Sequence, residues 1–331
     1  MEMLEKYFDT AFTAPDGIKK LRELILTLAM QGKLVEQDPD DQPARELLEE
    51  IEAEKKRLVK AGEIKRQKAL PEIKAEEMPY DLPQGWEWVR LGKVSHDWGQ
   101  KIPDSLFTYI DVSSIDNSKG IIGDNFQILT PEEAPSRARR IVAKGTIIYS
   151  TVRPYLQNIA IVNFEYEHKP IASTAFAVLH PFLTISNHFI YYFLHSPIFV
   201  KYVEATMKGV AYPAISNKDF FNGVIPCPPV LEQHRIVAKI DQLMARCDEL
   251  EKLRTEQEQK LLAVHTSTLR HLLDAQDQNS FANAWKFLAT NFGELYTVKE
   301  KVPRCFEWVS PLMADQCFRC ARINLVNLTM C

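Results

Sequence analysis

Hydrophobic positions change their period twice along the chain. Over residues 15–34, Ile18, Leu21, Ile25, Leu28 and Ala29 recur at helical spacing, and Gly32 stands where a glycine ends a helix. The acidic stretch EQDPDDQPA then reads as a turn, with Pro43 placed for the first turn of a second helix that runs to Gly62. A Pro-rich connector leads to a Trp-containing strand, and the composition shift puts a domain boundary near Pro79. From about Leu82 to Val230 the runs FTYIDVSSI, GTIIYSTV, NIAIVNF and STAFAVLHP are short, β-branched and aromatic, and HFIYYFLHSPIFVKYVEATM reads as a helical pair.

After IPCPPVLEQ the period changes again. Ile236, Ile240, Leu243, Cys247, Leu250, Arg254, Gln257, Leu261 and Val264 alternate spacings of four and three, which is a heptad seam. About forty residues without Gly or Pro would extend roughly 60 Å, farther than the neighbouring domain, so a partner helix is expected. The fold class is therefore α+β. A helical region and connector (1–79) precede a mixed α/β domain (80–230), a long coiled-coil helix (231–275), a helical extension (276–300) and an atypical tail (301–331).

Composition narrows the class without deciding it. The chain has 331 residues, 46% hydrophobic and 25% charged, enough for two domains with cores of their own. The start, MEMLEKYFDT, has no basic n-region or apolar h-region, and no stretch is apolar enough to span a bilayer, so the expectation is a cytoplasmic protein without a membrane partner. Net charge is only -4, but its sign varies locally. Residues 134–169 hold six basic against two acidic residues, a local +4, whereas residues 36–77 hold thirteen acidic against nine basic. A local basic field in a near-neutral chain suits a duplex reader with separate protein-binding surfaces. A solvated face would look the same.

Three segments carry a resemblance. LRELILTLAMQGKLVEQDPDDQPARELLEEIEAEKKRLVKAGEIK, LPQGWEWVRLGKV and IPCPPVLEQHRIVAKIDQLMARCDELE resemble the repeated regions of the specificity subunit of Type I restriction-modification enzymes. The resemblance implies that residues 82–230 form a target recognition domain reading one half of a split DNA site, with the long helix as spacer. It also implies methyltransferase and restriction subunits as partners, with S-adenosylmethionine, ATP and Mg on those partners and no cofactor on this chain. The family pattern has two recognition domains and two long helices; this chain has one of each. After NFGELYTVKEK the sequence becomes VPRCFEWVSPLMADQCFRCARINLVNLTMC, with Cys305, Cys317, Cys320 and Cys331, and a frameshifted or truncated end is the simplest account.

Candidate DNA contacts fall in three places. In IIYSTVRPYLQNIAI the apolar ends read as a core strand, and Ser150, Thr151, Arg153, Tyr155, Gln157 and Asn158 mark its exit, turned outward by Pro154. Arg153 could take a guanine edge or clamp a phosphate, while Gln157 and Asn158 suit adenine. Arg137, Arg139 and Arg140 lie within four positions just ahead of the strand led by Lys144, a density that suits phosphates. The loop MKGVAYPAISNKD resembles the last loop of the family's recognition domain, with Lys208, Tyr212, Ser216, Asn217 and Lys218, although its hydroxyl and amide groups could instead cap the next element.

Catalytic patterns are weak. No phosphate loop or dinucleotide fingerprint occurs. Pro103-Asp104 with Glu167-His168-Lys169 imitates a metal-dependent nuclease pattern, but so short a match arises by chance. Cys317-x-x-Cys320 has unconventional spacing for zinc, and no metal site is expected. The expectation is a non-enzymatic DNA-recognition subunit; a truncated protein that only binds methyltransferase subunits is the alternative. With half the family pattern missing, the seam of Ile236, Ile240, Leu243, Leu250, Leu261 and Val264 is expected to pair two chains as an antiparallel homodimer.

Overall fold

The computed structural model describes residue 14 and residues 16–291, apart from 118, 164, 183 and 184. The tail from 301, its four cysteines and the end of the extension expected to reach 300 lie outside the described residues. Helix α1 (Gly17–Met30) buries Ile18, Ile25, Leu26, Ala29 and Met30. It stops because Gly32 adopts φ 66°, which lets the Gly32 and Lys33 amides reach back to the Ala29 and Leu28 carbonyls at 3.1 and 2.9 Å. A Cβ there would lie 2.4 Å from the Pro83 ring, so the turn and the close approach both require glycine. Helix α2 (Ala44–Ala61) follows Pro43 and ends at Gly62, φ 76°.

The strand-rich part contains, in chain order, β1 (Glu87–Arg90), the short helix α3 (Leu91–Val94), β2 (Ser95–His96), β3 (Phe107–Ile110), β4 (Ile115–Asp116), β5 (Ile121–Ile122) and β6 (Gln127–Leu129). Then come β7 (Ala138–Ile141), β8 (Ile147–Ser150), β9 (Ile159–Ile161), β10 (Lys169–Ser173) and β11 (Phe176–Pro181). Helices α4 (Asn187–His195), α5 (Pro197–Thr206) and α6 (Asn217–Asn222) precede β12 (Val224–Cys227). The strands form three sheets: β1-β12, β6-β3-β10-β7 and β2-β11-β8-β9-β5-β4. The helical pair expected from HFIYYFLHSPIFVKYVEATM is α4 and α5, separated because Ser186 and Ser196 cap them by accepting from the Phe189 and Phe199 amides.

Strand alternation explains how β8 is buried on both faces. Ile147 and Tyr149 point into a core shared with α1, α2, α4 and α5, whereas Ile148 joins Ile110, Ala172 and Val178 between the six- and four-stranded sheets. Strand β7 is a finding against expectation. The sequence assigns the arginine cluster SRARR to no strand, yet residues 138–141 form one because Ala138 and Arg140 alternate inward and the 99–101 segment covers its edge.

Residues up to Leu250 form one compact unit, and the chain from Glu251 forms a second. The boundary expected near Pro79 thus falls inside the first unit. The long helix α7 runs from Val230 to Leu273, 44 residues, about 66 Å at 1.5 Å per residue. Its first turn is fastened to three other elements. Trp86 Nε1 donates to the buried Glu232 (2.8 Å), Arg235 pairs with Asp41 (2.5 Å), and Gln233 accepts from the Ser186 amide (3.0 Å). Ile236, Ile240 and Cys247 are buried in the core that contains α1, with Leu243 and Leu250 partly covered, and Arg22 of α1 pairs with Asp248. The seam's first half is therefore covered within the chain. In the second unit Leu261 is half-buried, Val264 is exposed, and α8 (Gln278–Thr290) begins where Asp277 accepts from the Asn279 and Ser280 amides. Among the described residues no helix is long and apolar enough to cross a membrane.

At one edge of the six-stranded sheet His96 of β2 stands opposite His180 of β11, with the Trp98 ring 4.8 Å from His180. Burial, followed by the neighbouring His96, pushes His180 down to about 4. The unfolded chain therefore takes up this proton first, and the contribution is lost as pH falls from about 6.5 towards about 4. His180→Phe should flatten the loss of stability across that window, read as the urea midpoint at each pH. A variant whose midpoint falls as steeply as that of the parent would contradict this assignment.

Candidate nucleic-acid interface

The strand exit after β8 and the loop after α5 are joined through the main chain. The Thr151 amide and hydroxyl both donate to the Ala175 carbonyl at 2.8 Å, and the Thr151 carbonyl accepts from the Ile215 amide at 3.0 Å. The Arg153 amide donates to Pro213 O (2.8 Å), and Lys208 and Ala214 exchange two hydrogen bonds of 2.8 and 2.9 Å. On the other flank the Thr174 amide donates to the Arg137 carbonyl at 2.9 Å. Segments around residues 137, 174–175, 151–153, 213–215 and 208 therefore lie side by side. At about 4.8 Å per neighbour they form a strip on the order of 20 Å wide.

The strip presents cations and apolar tips together. Arg137, Arg153 and Lys208 are exposed, and the Arg153 guanidinium carbon lies 5.5 Å from the Tyr212 ring centre, a cation–π contact that holds it in place. Val210 is fully exposed and Tyr212 is 71% exposed, at a loop tip closed by the Lys208–Ala214 pair. Gly209 makes the tip possible: its φ is 98°, and a Cβ would lie 2.9 Å from Tyr212 O. Arg153 (φ 47°) and Gln157 (φ 51°) are the two non-glycine residues with positive φ among the described residues, and they bracket the turn Pro154–Leu156. Left-handed backbone at two ordinary side chains costs stability and concentrates where a surface is built for contact. Tyr155 is exposed on this turn; Gln157 and Asn158 are half-buried beside it.

Other expected contacts are placed elsewhere. Ser150 is buried and its hydroxyl donates to Val152 O (2.9 Å), so it offers nothing to a ligand; the Thr151 hydroxyl is spent on Ala175. Arg140 points inward and pairs with Asp97 at 3.5 Å, because alternation along β7 separates it from Arg137 and Arg139. Lys144 is exposed but sits at the opposite end of β8 from the exit. Ser216 caps α6, accepting from the Asp219 amide at 3.1 Å, with Asn217 and the exposed Lys218 in the first turn behind it. Sequence reading passed over Val210, Thr174 and Asn117. The last donates its side-chain amide to Leu156 O, steadying the turn. An apolar Val after Gly and ahead of Tyr-Pro in a polar loop is a legible signal; Thr174 joins through its backbone amide and Asn117 through a carbonyl distant in sequence, and neither leaves one.

The nuclease-like residues do approach one another, since β3 and β10 run parallel with Lys169 opposite Phe107. Asp104 there is exposed and paired with Lys101 at 2.7 Å, and no group of three His, Cys, Asp or Glu side chains converges for a metal among the described residues.

Comparison with known proteins decides the family. A model of the Type I restriction modification DNA specificity domain matches residues 83–260, more than half of the chain. The chain belongs to this Type I specificity family. The specificity subunit of the Type I restriction enzyme EcoAI from Escherichia coli is 37% identical over 298 residues, covering 86% of this chain and 49% of that protein. The EcoEI specificity subunit from the same organism is 34% identical over the same extent. The crystal structure of the HsdS subunit from Thermoanaerobacter tengcongensis superposes with a TM-score of 0.53 at 35% identity, covering 61% of this chain and 53% of that one. This member of the family thus spans about half the length of the relatives it matches. The family match contains all five segments of the strip and the first turn of α7.

Proposed function

We propose that this chain is the DNA-recognition subunit of a Type I restriction-modification complex and is not itself an enzyme. The observation that carries the reading is the strip of five neighbouring segments, which sets cations beside exposed apolar tips on a rigid sheet edge. Double-stranded DNA is the ligand such a surface suits: Arg137 with Arg139 for phosphates, and Arg153, Gln157, Asn158 and Tyr212 for base edges. Methyltransferase and restriction subunits are the protein partners, and S-adenosylmethionine, ATP and Mg belong to them. A chain of half length reads one half of a split site. Two chains related by a two-fold axis would read an interrupted palindrome, its halves about one helical turn or roughly 34 Å apart. With the first half of the seam covered by α1, the homodimer would pair through the helix beyond Glu251, where Leu253, Leu262 and Val264 are exposed.

Two substitutions separate positioning from reading. Replacing Arg137 and Arg139 with Ala should weaken binding to every sequence and lower the salt slope by about 2, near 0.9 for each lost phosphate contact. Arg153→Ala should relax preference at one base pair, at a cost of roughly 1 to 3 kcal/mol. Selection from a randomised duplex pool reads both. No enrichment with the methyltransferase partner present would favour a protein that binds partners without reading DNA.

Association is tested by sedimentation over a concentration series. Leu261→Asp with Val264→Asp should turn a dimer into a monomer while the first unit stays folded. A parent mass that remains at 38 kDa at tens of micromolar would reject the dimer.

A further inference from the structure

Six cations line a slot between α2 and the connector behind it: Lys55, Lys56 and Lys60 from the helix, Arg66 and Lys68 from the connector, and Lys93 from α3. The slot has a volume of about 840 Å³, and its walls hold three carboxylates, Glu52, Glu72 and Glu87. None of the six cations makes an ion pair or a side-chain hydrogen bond among the described residues; Arg90, also on the wall, is taken by Glu77 at 2.7 Å. The Lys55 ammonium is half-buried, and burial holds its pKa below the ordinary lysine value, with Glu52 opposing and Lys93 adding a lesser push in the same direction as burial. Six cations against three carboxylates on fixed elements leave a positive excess, which an anionic occupant would relieve.

The second wall defines the shape of that occupant. Residues 66–70 lie in no helix or strand, and their main-chain amides make no hydrogen bond among the described residues. The strip is nonetheless anchored. Arg90 donates to the carbonyls of Pro71 (3.2 Å) and Glu72 (2.8 Å), and Gln67 Nε2 to that of Ser95 (3.4 Å). A fixed strip with unused amides is an edge to which an extended chain can add. Leu48, Val59 and Leu70 supply apolar surface for its alternate side chains.

We propose that this slot docks an extended, acidic peptide segment of a partner protein. Its main chain pairs with residues 66–70 and its carboxylates meet the lysines. Five of the six cations are lysines, point charges that lack the planar fork by which arginine grips phosphate. The aromatic ring present, Trp88, is half-buried and packs against Tyr80 in a T-shaped contact at 5.0 Å, which leaves a poor stacking platform for nucleobases. The slot lies on α2, α3, β1 and the connector, and docking there is independent of the DNA-reading strip.

The test uses the full chain and a fluorescent peptide of about twelve residues alternating Glu with Val, long enough at ~3.3 Å per residue to run the length of the connector. Binding is read by anisotropy, beside the same peptide with Gln for Glu and a single-stranded thymidine oligonucleotide of equal length. The acidic peptide should bind at least roughly tenfold more tightly than the Gln peptide. Lys56→Glu with Lys60→Glu and Lys68→Glu, all exposed positions, should abolish that preference without altering the unfolding midpoint. Hydrogen exchange at residues 66–70 should slow when the peptide is bound. Absent binding, binding indifferent to the lysine substitutions, or an oligonucleotide that displaces the peptide would each overturn the proposal.

Discussion

The first turn of α7 is the joint on which the first unit depends. Four consecutive polar or charged residues, Glu232, Gln233, His234 and Arg235, stand near the start of a helix whose apolar face begins at Ile236. Glu232 takes the Trp86 indole, Gln233 the Ser186 amide and the Pro228 carbonyl, and Arg235 the Asp41 carboxylate. These bonds tie the turn before α2, the entry to β1 and the start of α4 to one point. Glu232 and Gln233 are buried, so each of these polar groups would be costly without its partner. Glu232 is held above the ordinary carboxylate range, by burial first, with Trp86 and Arg235 opposing. The first half of the long helix, the N-terminal helices and one face of the six-stranded sheet consequently share a single core, and the residues between the sheets form another.

A rigid base permits an irregular edge. The strip around Arg153 and Tyr212 has two strained backbone positions and a fully exposed valine, features that would be lost to rearrangement on a soft support. Beneath it the six-stranded sheet packs on both faces, and Tyr149, two residues before Thr151, is locked against Phe199 and Phe220. Order in the core is thereby transmitted to the side chains that meet DNA in the proposed function.

Legibility in the sequence followed the strength of the period. The seams of α1 and α7 and the α4–α5 pair were readable because each repeats its apolar residues over several turns or carries capping serines. Strand β7 was hidden, since alternation of Ala138 with Arg140 uses a charged residue on the inward side, and only the distant Asp97 makes that tolerable. The same alternation divides three neighbouring arginines that sequence density grouped together. A heptad pattern shows that a stripe is covered but not by what: Ile236, Ile240 and Cys247 meet the chain's own core, where an intermolecular partner was expected. Exposed Arg153, Tyr155, Lys208 and Tyr212 were readable as polar or aromatic residues among Gly and Pro, whereas their junction through Thr151, Pro213 and Ala214 depends on pairing between segments some sixty residues apart.

The central claim is that the strip, and not the far end of β8, faces DNA. A photoreactive benzophenone side chain in place of Tyr212, and separately in place of Lys144, tests it with a duplex selected by the parent protein together with the proposed methyltransferase partner. The account predicts an adduct to bases from position 212 and little or none from 144. Equal yields from both positions, or an adduct from 144 alone, would contradict it.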